Sequence, residues 1–187
     1  MTDLWLLRHG QTNWNLLGRW QGQSPQAPGL NDAGRAQVQA VYRQLNELRF
    51  SAIYSSDLLR SRQTAELVAE RLGLPITLEP RLREINLGAW EGMLLTEIEA
   101  QYPFELVERA RDPLHARAPQ GESPLNVVER VVAFAHEIAK KHVNQSVLIV
   151  AHGISLAVIM CSAQGIPLHE IYDHILDNAQ LQHTEWN

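Results

Sequence analysis

Short apolar runs alternate along the chain with longer stretches in which apolar residues recur at helical spacing. Leu4 to Leu7, Ser51 to Ser55, Ile76 to Leu78 and Val147 to Ala151 are the short runs. Their apolar residues are consecutive and do not alternate with polar ones, a pattern typical of strands buried on both faces of a sheet. A fifth segment, Gln180 to Trp186, fits an edge strand.

The longer stretches predict helices between these strands. Asn31 and Ser123 are good N-caps, and Pro124 occupies the favoured first helical position. Helices are expected after Asn31, from about Asp57 to Gly73, near Thr96 to Tyr102, after Ser123, from Ser155 and near His169. By contrast, Trp14 to Leu30 is rich in Gly, Gln and Pro and lacks periodicity, so it is predicted to be a loop.

Alternating strands and helices indicate an α/β fold. We expect a three-layer α/β/α sandwich, in which helices cover both faces of a mostly parallel central sheet. The 187 residues suit one domain spanning 1–187. Within it, residues of about 85–121 are largely irregular and are interpreted as a small lid or substrate-specificity insertion.

Composition excludes several classes of function. The net charge of −5 argues against a nucleic-acid partner, which would require a broad basic face. The single cysteine, Cys161, has apolar neighbours and is expected to be buried. The N-terminus does not resemble a signal peptide, and no apolar stretch approaches the ~20 residues of a membrane span. A cytoplasmic location without a membrane partner is therefore expected.

Polar residues come directly after three of the predicted strands. The strand ends are Arg8-His9-Gly10, Ser55-Ser56-Asp57 and His152-Gly153. Because parallel strands end at the same edge of a sheet, these groups should converge there, joined by Arg60 from the following helix. Two arginines and two histidines around one pocket indicate a phosphate site, since the guanidinium fork matches phosphate oxygens.

This set of residues also suggests a reaction. Neutral imidazole is a competent nucleophile towards phosphorus, and neighbouring arginines would stabilise the oxygens of the transferred group. Glu84 is the best placed carboxylate to protonate the departing oxygen. His9 is therefore the candidate nucleophile and Glu84 the candidate proton donor.

At these residues the sequence strongly resembles the histidine phosphatase superfamily, whose members include cofactor-dependent phosphoglycerate mutases. The resemblance implies a phosphoglycerate mutase-like fold. It rests on five motifs in the expected order, which together are far more specific than any one alone. The motifs are Leu7 to Asn15, Ser55 to Ala65, Leu82 to Gly92, Gly121 to Ser123 and Val150 to Gly153.

The resemblance implies a role for each candidate residue. His9 would be phosphorylated, and Glu84 would first protonate the leaving oxygen and then activate water. The phosphoryl group and the rest of the substrate would be bound by Arg8, Asn15, Gln21, Gly22, Arg60, His152 and Gly153. No metal or other cofactor would be needed, because the arginines supply the positive charge.

The favoured function is a phosphatase for a small phosphorylated metabolite. The main alternative is a phosphoglycerate mutase, for whose substrate carboxylate Arg109, Arg111 and Arg117 are the candidates. A phosphohistidine protein phosphatase is a weaker alternative, as is a non-catalytic phosphate-binding protein. A metallohydrolase ligated by His9, His152 and Glu84 lacks any short ligand spacing to support it.

Two features leave the substrate open. The loop Gln23 to Gly29 is proline-rich and lacks the aspartate of many relatives, and Ala89 replaces another common aspartate. The family also includes monomers, dimers and tetramers, so a homodimer stays open.

Overall fold

The computed structural model describes residues 1–187 and contains one five-stranded sheet. The strands are β1 (Thr2–Arg8), β2 (Ala52–Ser55), β3 (Ile76–Leu78), β4 (Ser146–Ala151) and β5 (Leu181–Trp186). Their order is β3-β2-β4-β1-β5, and only β5 runs antiparallel to its neighbour. The mostly parallel sheet and its antiparallel edge strand agree with the sequence pattern.

Seven α-helices and three short 3-10 helices connect the strands. The α-helices are α1 (Asn13–Leu17), α2 (Asp32–Asn46), α3 (Leu59–Leu72), α4 (Leu95–Gln101), α5 (Pro103–Arg111), α6 (Pro124–Lys141) and α7 (Gly153–Gln164). The 3-10 helices are Pro80–Leu82, Gly88–Trp90 and Leu168–His174. None of the helices combines the length and the apolar composition that crossing a bilayer requires.

Helices cover both faces of the sheet, which confirms the three-layer sandwich. Adjacent strand residues point to opposite faces, so Leu6 packs with α6 and α7 while Leu7 packs with α2 and α3. Both residues are fully buried, as is Cys161 within α7. The consecutive apolar residues of β1 and β4 are thereby explained, because each face of these strands meets its own hydrophobic cluster.

Strand register places the ends of β1 and β4 side by side. Arg8 pairs with Ala151, so the residues that follow, His9 and His152, leave the sheet at the same level. Ser55 at the end of β2 pairs with Val150 of β4. The carboxyl edge of the three central strands is therefore a single platform for the polar residues that follow them.

Two helices differ from the sequence prediction. The predicted loop Trp14 to Leu30 overlaps α1, and α5 lies in the segment for which only one short helix was expected. α1 is only five residues long, and neither helix contains a fully buried residue, although Leu106 of α5 packs against the core. The prediction of a continuous loop was wrong for this reason, whereas α4 matches the helix expected near Thr96 to Tyr102.

Candidate active site

A cavity of about 370 Å³ opens at the carboxyl edge of the sheet. Seven of the nine candidate site residues line it: Arg8, His9, Asn15, Gln21, Gly22, Arg60 and Glu84. The other two, His152 and Gly153, lie directly behind this lining. A more open depression of about 600 Å³ around Arg117 contains none of the candidates.

His9 is held as a neutral imidazole whose Nε2 carries no proton. Its Nδ1 lies 2.8 Å from the carbonyl oxygen of Gly10, which can only accept, so Nδ1 carries the proton. Its Nε2 accepts a hydrogen bond from Nε of Arg60 at 3.2 Å. The lone pair of Nε2 is thus on the side of the ring that faces the arginine in the cavity wall.

Burial and charge both keep His9 unprotonated. Burial, then the charges of Arg60 and Arg8, hold the pKa of His9 well below its usual value. Burial lowers the pKa of Arg60 to about 10, which leaves its guanidinium charged at neutral pH. A neutral nucleophile therefore stands beside a permanent positive charge, as attack on a phosphate dianion requires.

His152 lies against His9 in the protein interior. The two ring centroids are 5.2 Å apart, and His152 is fully buried. Its Nε2 lies 2.8 Å from the hydroxyl of Ser56 at the end of β2. Burial and then the charge of Arg60 hold the pKa of His152 well below its usual value, so this ring is also neutral.

Two buried nitrogen atoms at the site lack hydrogen-bond partners, namely Nε of Arg8 and Nδ1 of His152. The other end of the Arg8 guanidinium is anchored, because Nη1 donates to the carbonyl oxygen of Leu176. Unpaired buried polar groups cost free energy that a bound ligand can recover. An anion in the cavity could accept a hydrogen bond from the Arg8 Nε–H.

The loop after β1 orients two candidate amides. The Thr12 N–H donates to Oδ1 of Asn15 at 3.0 Å, and the Thr12 hydroxyl donates to Oε1 of Gln21 at 3.1 Å. The amide nitrogens of Asn15 and Gln21 therefore remain available as donors. The carbonyl oxygen of Gly22 accepts from Nη2 of Arg60 at 2.9 Å and fixes the guanidinium in the wall.

The Glu84 carboxylate is held by two backbone N–H groups. Oε1 accepts from Ile85 at 2.9 Å, and Oε2 accepts from Ile154 in the first turn of α7 at 3.2 Å. A Cβ at Gly153 would lie 2.9 Å from Cγ2 of Ile175 and 3.5 Å from the Glu84 carboxylate. Glycine at position 153 thus allows α7 to approach the carboxylate closely.

Several lining residues were not predicted. Trp20, Tyr172 and Ile175 line the cavity, and Asn178 donates to the carbonyl oxygen of His9 at 3.0 Å. Trp20 directly precedes the predicted site residue Gln21, and this adjacency is a sequence signal for its position. The other three lie in the last 20 or so residues, where no motif marked the chain.

Of the three arginines considered for a substrate carboxylate, only Arg109 lines the cavity. Its guanidinium lies over the rings of Trp20, Trp90 and Tyr172, at 5.1, 5.8 and 4.9 Å from their centroids. It takes part in none of the ion pairs of the structure. Arg109 therefore presents an unneutralised positive charge to the cavity.

The metallohydrolase alternative finds no support in this geometry. His9, His152 and Glu84 do not form a group of side chains placed to share a metal ion, and no other such group of His, Cys, Asp and Glu occurs. Both Nδ1 and Nε2 of His9 already have hydrogen-bond partners.

The two buried imidazoles are expected to make stability depend on pH. In the unfolded chain His9 and His152 take up protons near pH ~6.5, whereas in the fold they stay neutral to much lower pH. Protons therefore bind the unfolded chain first, and the free energy of unfolding should fall with pH below about 7. The limit is about 1.4 kcal/mol per pH unit for each histidine.

Urea unfolding between about pH 7 and pH 5 measures this effect. His9→Asn should flatten the pH dependence, because it removes one of the two buried imidazoles. Equal pH slopes for the wild type and His9→Asn would contradict the assignment of a depressed pKa to His9.

Comparisons with known proteins agree with the motifs. A family model described as the histidine phosphatase superfamily (branch 1) matches residues 4–187. Phosphoserine phosphatase 1 of Hydrogenobacter thermophilus is 34% identical over 179 residues, covering 96% of this chain and 84% of that protein. A probable phosphoglycerate mutase of Escherichia fergusonii is 38% identical over 170 residues, covering 89% and 77%.

A solved structure resembles the whole fold. It is a mycobacterial glucosyl-3-phosphoglycerate phosphatase in complex with VO3, with a TM-score of 0.86 and 30% sequence identity. The match covers 97% of this chain and 90% of that chain.

Proposed function

The chain belongs to the histidine phosphatase superfamily, as its motifs indicate, and on this basis we propose that it hydrolyses small phosphomonoesters through a phosphohistidine on His9. The observation that carries the proposal is the state of His9. Its proton is fixed on Nδ1, its Nε2 lone pair is free of a proton, and the charged Arg60 lies beside it. This is the state that a nucleophile towards a phosphate dianion needs.

The reaction takes two steps. In the first, Nε2 of His9 forms a bond to phosphorus, the ester P–O bond breaks, and Glu84 gives its proton to the departing alcohol oxygen. In the second, Glu84 takes a proton from water, whose oxygen attacks phosphorus and breaks the P–N bond. Free phosphate leaves, and His9 and Glu84 return to their starting states. Arg8 and Arg60 bind the phosphoryl oxygens in both steps.

The alternative in this family is a phosphoglycerate mutase, which transfers the phosphoryl group to a second substrate hydroxyl. Phosphate release and the interconversion of 2- and 3-phosphoglycerate, measured on the same preparation, separate the two functions. We expect phosphate release to be the faster process, because the His9 cavity is open to water. Mutase turnover far above hydrolysis would overturn the proposal.

We propose that residues 85–121 act as the substrate-specificity segment of this single domain. Arg109 on α5 comes from this segment and brings its charge to the phosphate site. The relatives named for phosphoserine, phosphoglycerate and glucosyl-3-phosphoglycerate all act on esters that carry a carboxylate. A phosphorylated metabolite with such a second anion is therefore the substrate class that this site fits.

Arg109→Met should raise KM for 3-phosphoglycerate about 10-fold, since an ion pair of this kind is worth about 1.5 kcal/mol or more. Glycerol 3-phosphate has a hydroxymethyl group in place of the carboxylate, and its KM should change little. Arg111→Met, two residues away and exposed, is the matched control. An equal rise in KM for both esters would mean that Arg109 does not bind the carboxylate.

A further inference from the structure

The irregular segment that carries Glu84 is held by one arginine of α6. The side chain of Arg130 is 18% exposed, and its Nη1 donates to the carbonyl oxygens of Arg81 at 2.6 Å and Arg83 at 2.7 Å. Its Nη2 donates to the carbonyl oxygen of Glu84 itself at 3.1 Å. A single guanidinium thus binds three backbone carbonyls within four residues of chain.

Glu122 completes this arrangement. Its Oε1 accepts from Nε of Arg130 and its Oε2 from Nη2, each at 3.0 Å. All five N–H groups of the arginine therefore have an acceptor. Oε2 of Glu122 also accepts from the N–H of Asn86 at 2.8 Å, which ties down the chain on the far side of Glu84.

The loop before α2 reaches the same point. Nε2 of Gln23 donates to the carbonyl oxygen of Glu84 at 2.9 Å. That carbonyl therefore accepts side-chain hydrogen bonds from Gln23, which precedes Glu84 in the chain, and from Arg130, which follows it. Residues 83–87 form neither helix nor strand, so the local backbone does not provide these contacts.

From these contacts we infer that Arg130 is a positioning residue, which sets the place of the Glu84 carboxylate relative to the leaving oxygen. The inference rests on the proposed role of Glu84 as proton donor. Arg130 does not line the cavity, so it contacts Glu84 through the backbone that it holds and does not contact the substrate. Proton transfer requires hydrogen-bond distance, and a displacement of about 1 Å costs a reaction about 100-fold.

The geometry of the guanidinium is what matters, more than its charge. Glu122 already neutralises that charge in a two-contact pair, whereas binding carbonyls in three directions needs the planar fork. Arg130→Lys keeps the charge and loses the fork. We therefore expect Arg130→Lys to behave like Arg130→Met and unlike the wild type.

The test compares two esters in the first turnover. For 3-phosphoglycerate, whose alkoxide needs a proton in order to leave, Arg130→Met should slow phosphoryl transfer about 10- to 100-fold. For p-nitrophenyl phosphate, whose phenolate leaves without one, the loss should be under about 3-fold. Arg81→Met is the control, because this arginine belongs to the same segment but its guanidinium pairs with Glu79 and with Glu137 of α6, and not with Glu84. It should leave the ratio of the two rates unchanged.

A double-mutant cycle with Glu84→Gln separates positioning from general damage. Because Arg130 acts through Glu84, adding Arg130→Met to Glu84→Gln should cost less than about 3-fold on 3-phosphoglycerate. Full additivity, or equal losses on both esters in Arg130→Met alone, would overturn the inference. If Glu84→Gln itself fails to discriminate between the esters, then the proposed role of Glu84 fails instead.

Discussion

Replacing His9 by alanine is expected to lower phosphate release at least about 10⁴-fold while the chain stays folded. The substitution removes the one imidazole that lines the cavity, and neither arginine can replace it as a nucleophile. Rapid base quenching of the wild type during turnover should trap a phosphoryl group on the protein, and later treatment with acid should release it. His9→Ala should trap none.

The same variant should still bind phosphate. Arg8 and Arg60 keep their anchors on Leu176 and Gly22, so inorganic phosphate should raise the melting temperature of His9→Ala as it does that of the wild type. His115→Ala is the control for activity, since that histidine is exposed and pairs with Asp112. A His9→Ala enzyme that retains more than about one per cent of activity would exclude the phosphohistidine pathway.

The residues at the carboxyl edge of the sheet could be predicted from the sequence, because polar residues directly follow apolar strands there. Arg8, His9 and His152 follow apolar runs without any turn residue between, and consecutive apolar residues such as Leu6 and Leu7 require a sheet covered on both faces. In the structure, the parallel register of β1 and β4 places His9 and His152 side by side. These are short-range patterns, in which each prediction depends on neighbours in the chain.

The parts that could not be predicted depend on contacts between distant residues. Arg130 meets the Glu84 carbonyl across 46 positions, and any arginine on an amphipathic helix looks the same in the sequence. Tyr172 and Ile175 reach the cavity from a 3-10 helix and its end, with no motif or periodicity. α5 contains no fully buried residue and contacts the core through the partly buried Leu106, so its place in the fold also depends on distant contacts.

Glu84→Gln should slow the first turnover much more for a poor leaving group than for a good one. With 3-phosphoglycerate the first turnover should slow by about 10²- to 10⁴-fold, because Glu84 is the one carboxylic acid that lines the cavity. With p-nitrophenyl phosphate the first turnover should change less than about 10-fold. The difference between the two esters is therefore the signature of a lost proton donor.

The second step depends on Glu84 as well, since the carboxylate takes a proton from the attacking water. Glu84→Gln with p-nitrophenyl phosphate should therefore release about one nitrophenolate per enzyme in a burst and then turn over slowly, with phosphohistidine accumulating. Glu91→Gln is a matched control, because Glu91 also accepts two backbone N–H bonds but does not line the cavity. It should show neither the burst nor the discrimination between esters. Equal slowing of both esters in Glu84→Gln, without a burst, would assign proton transfer to another group and leave Glu84 as a structural carboxylate that only fixes the start of α7.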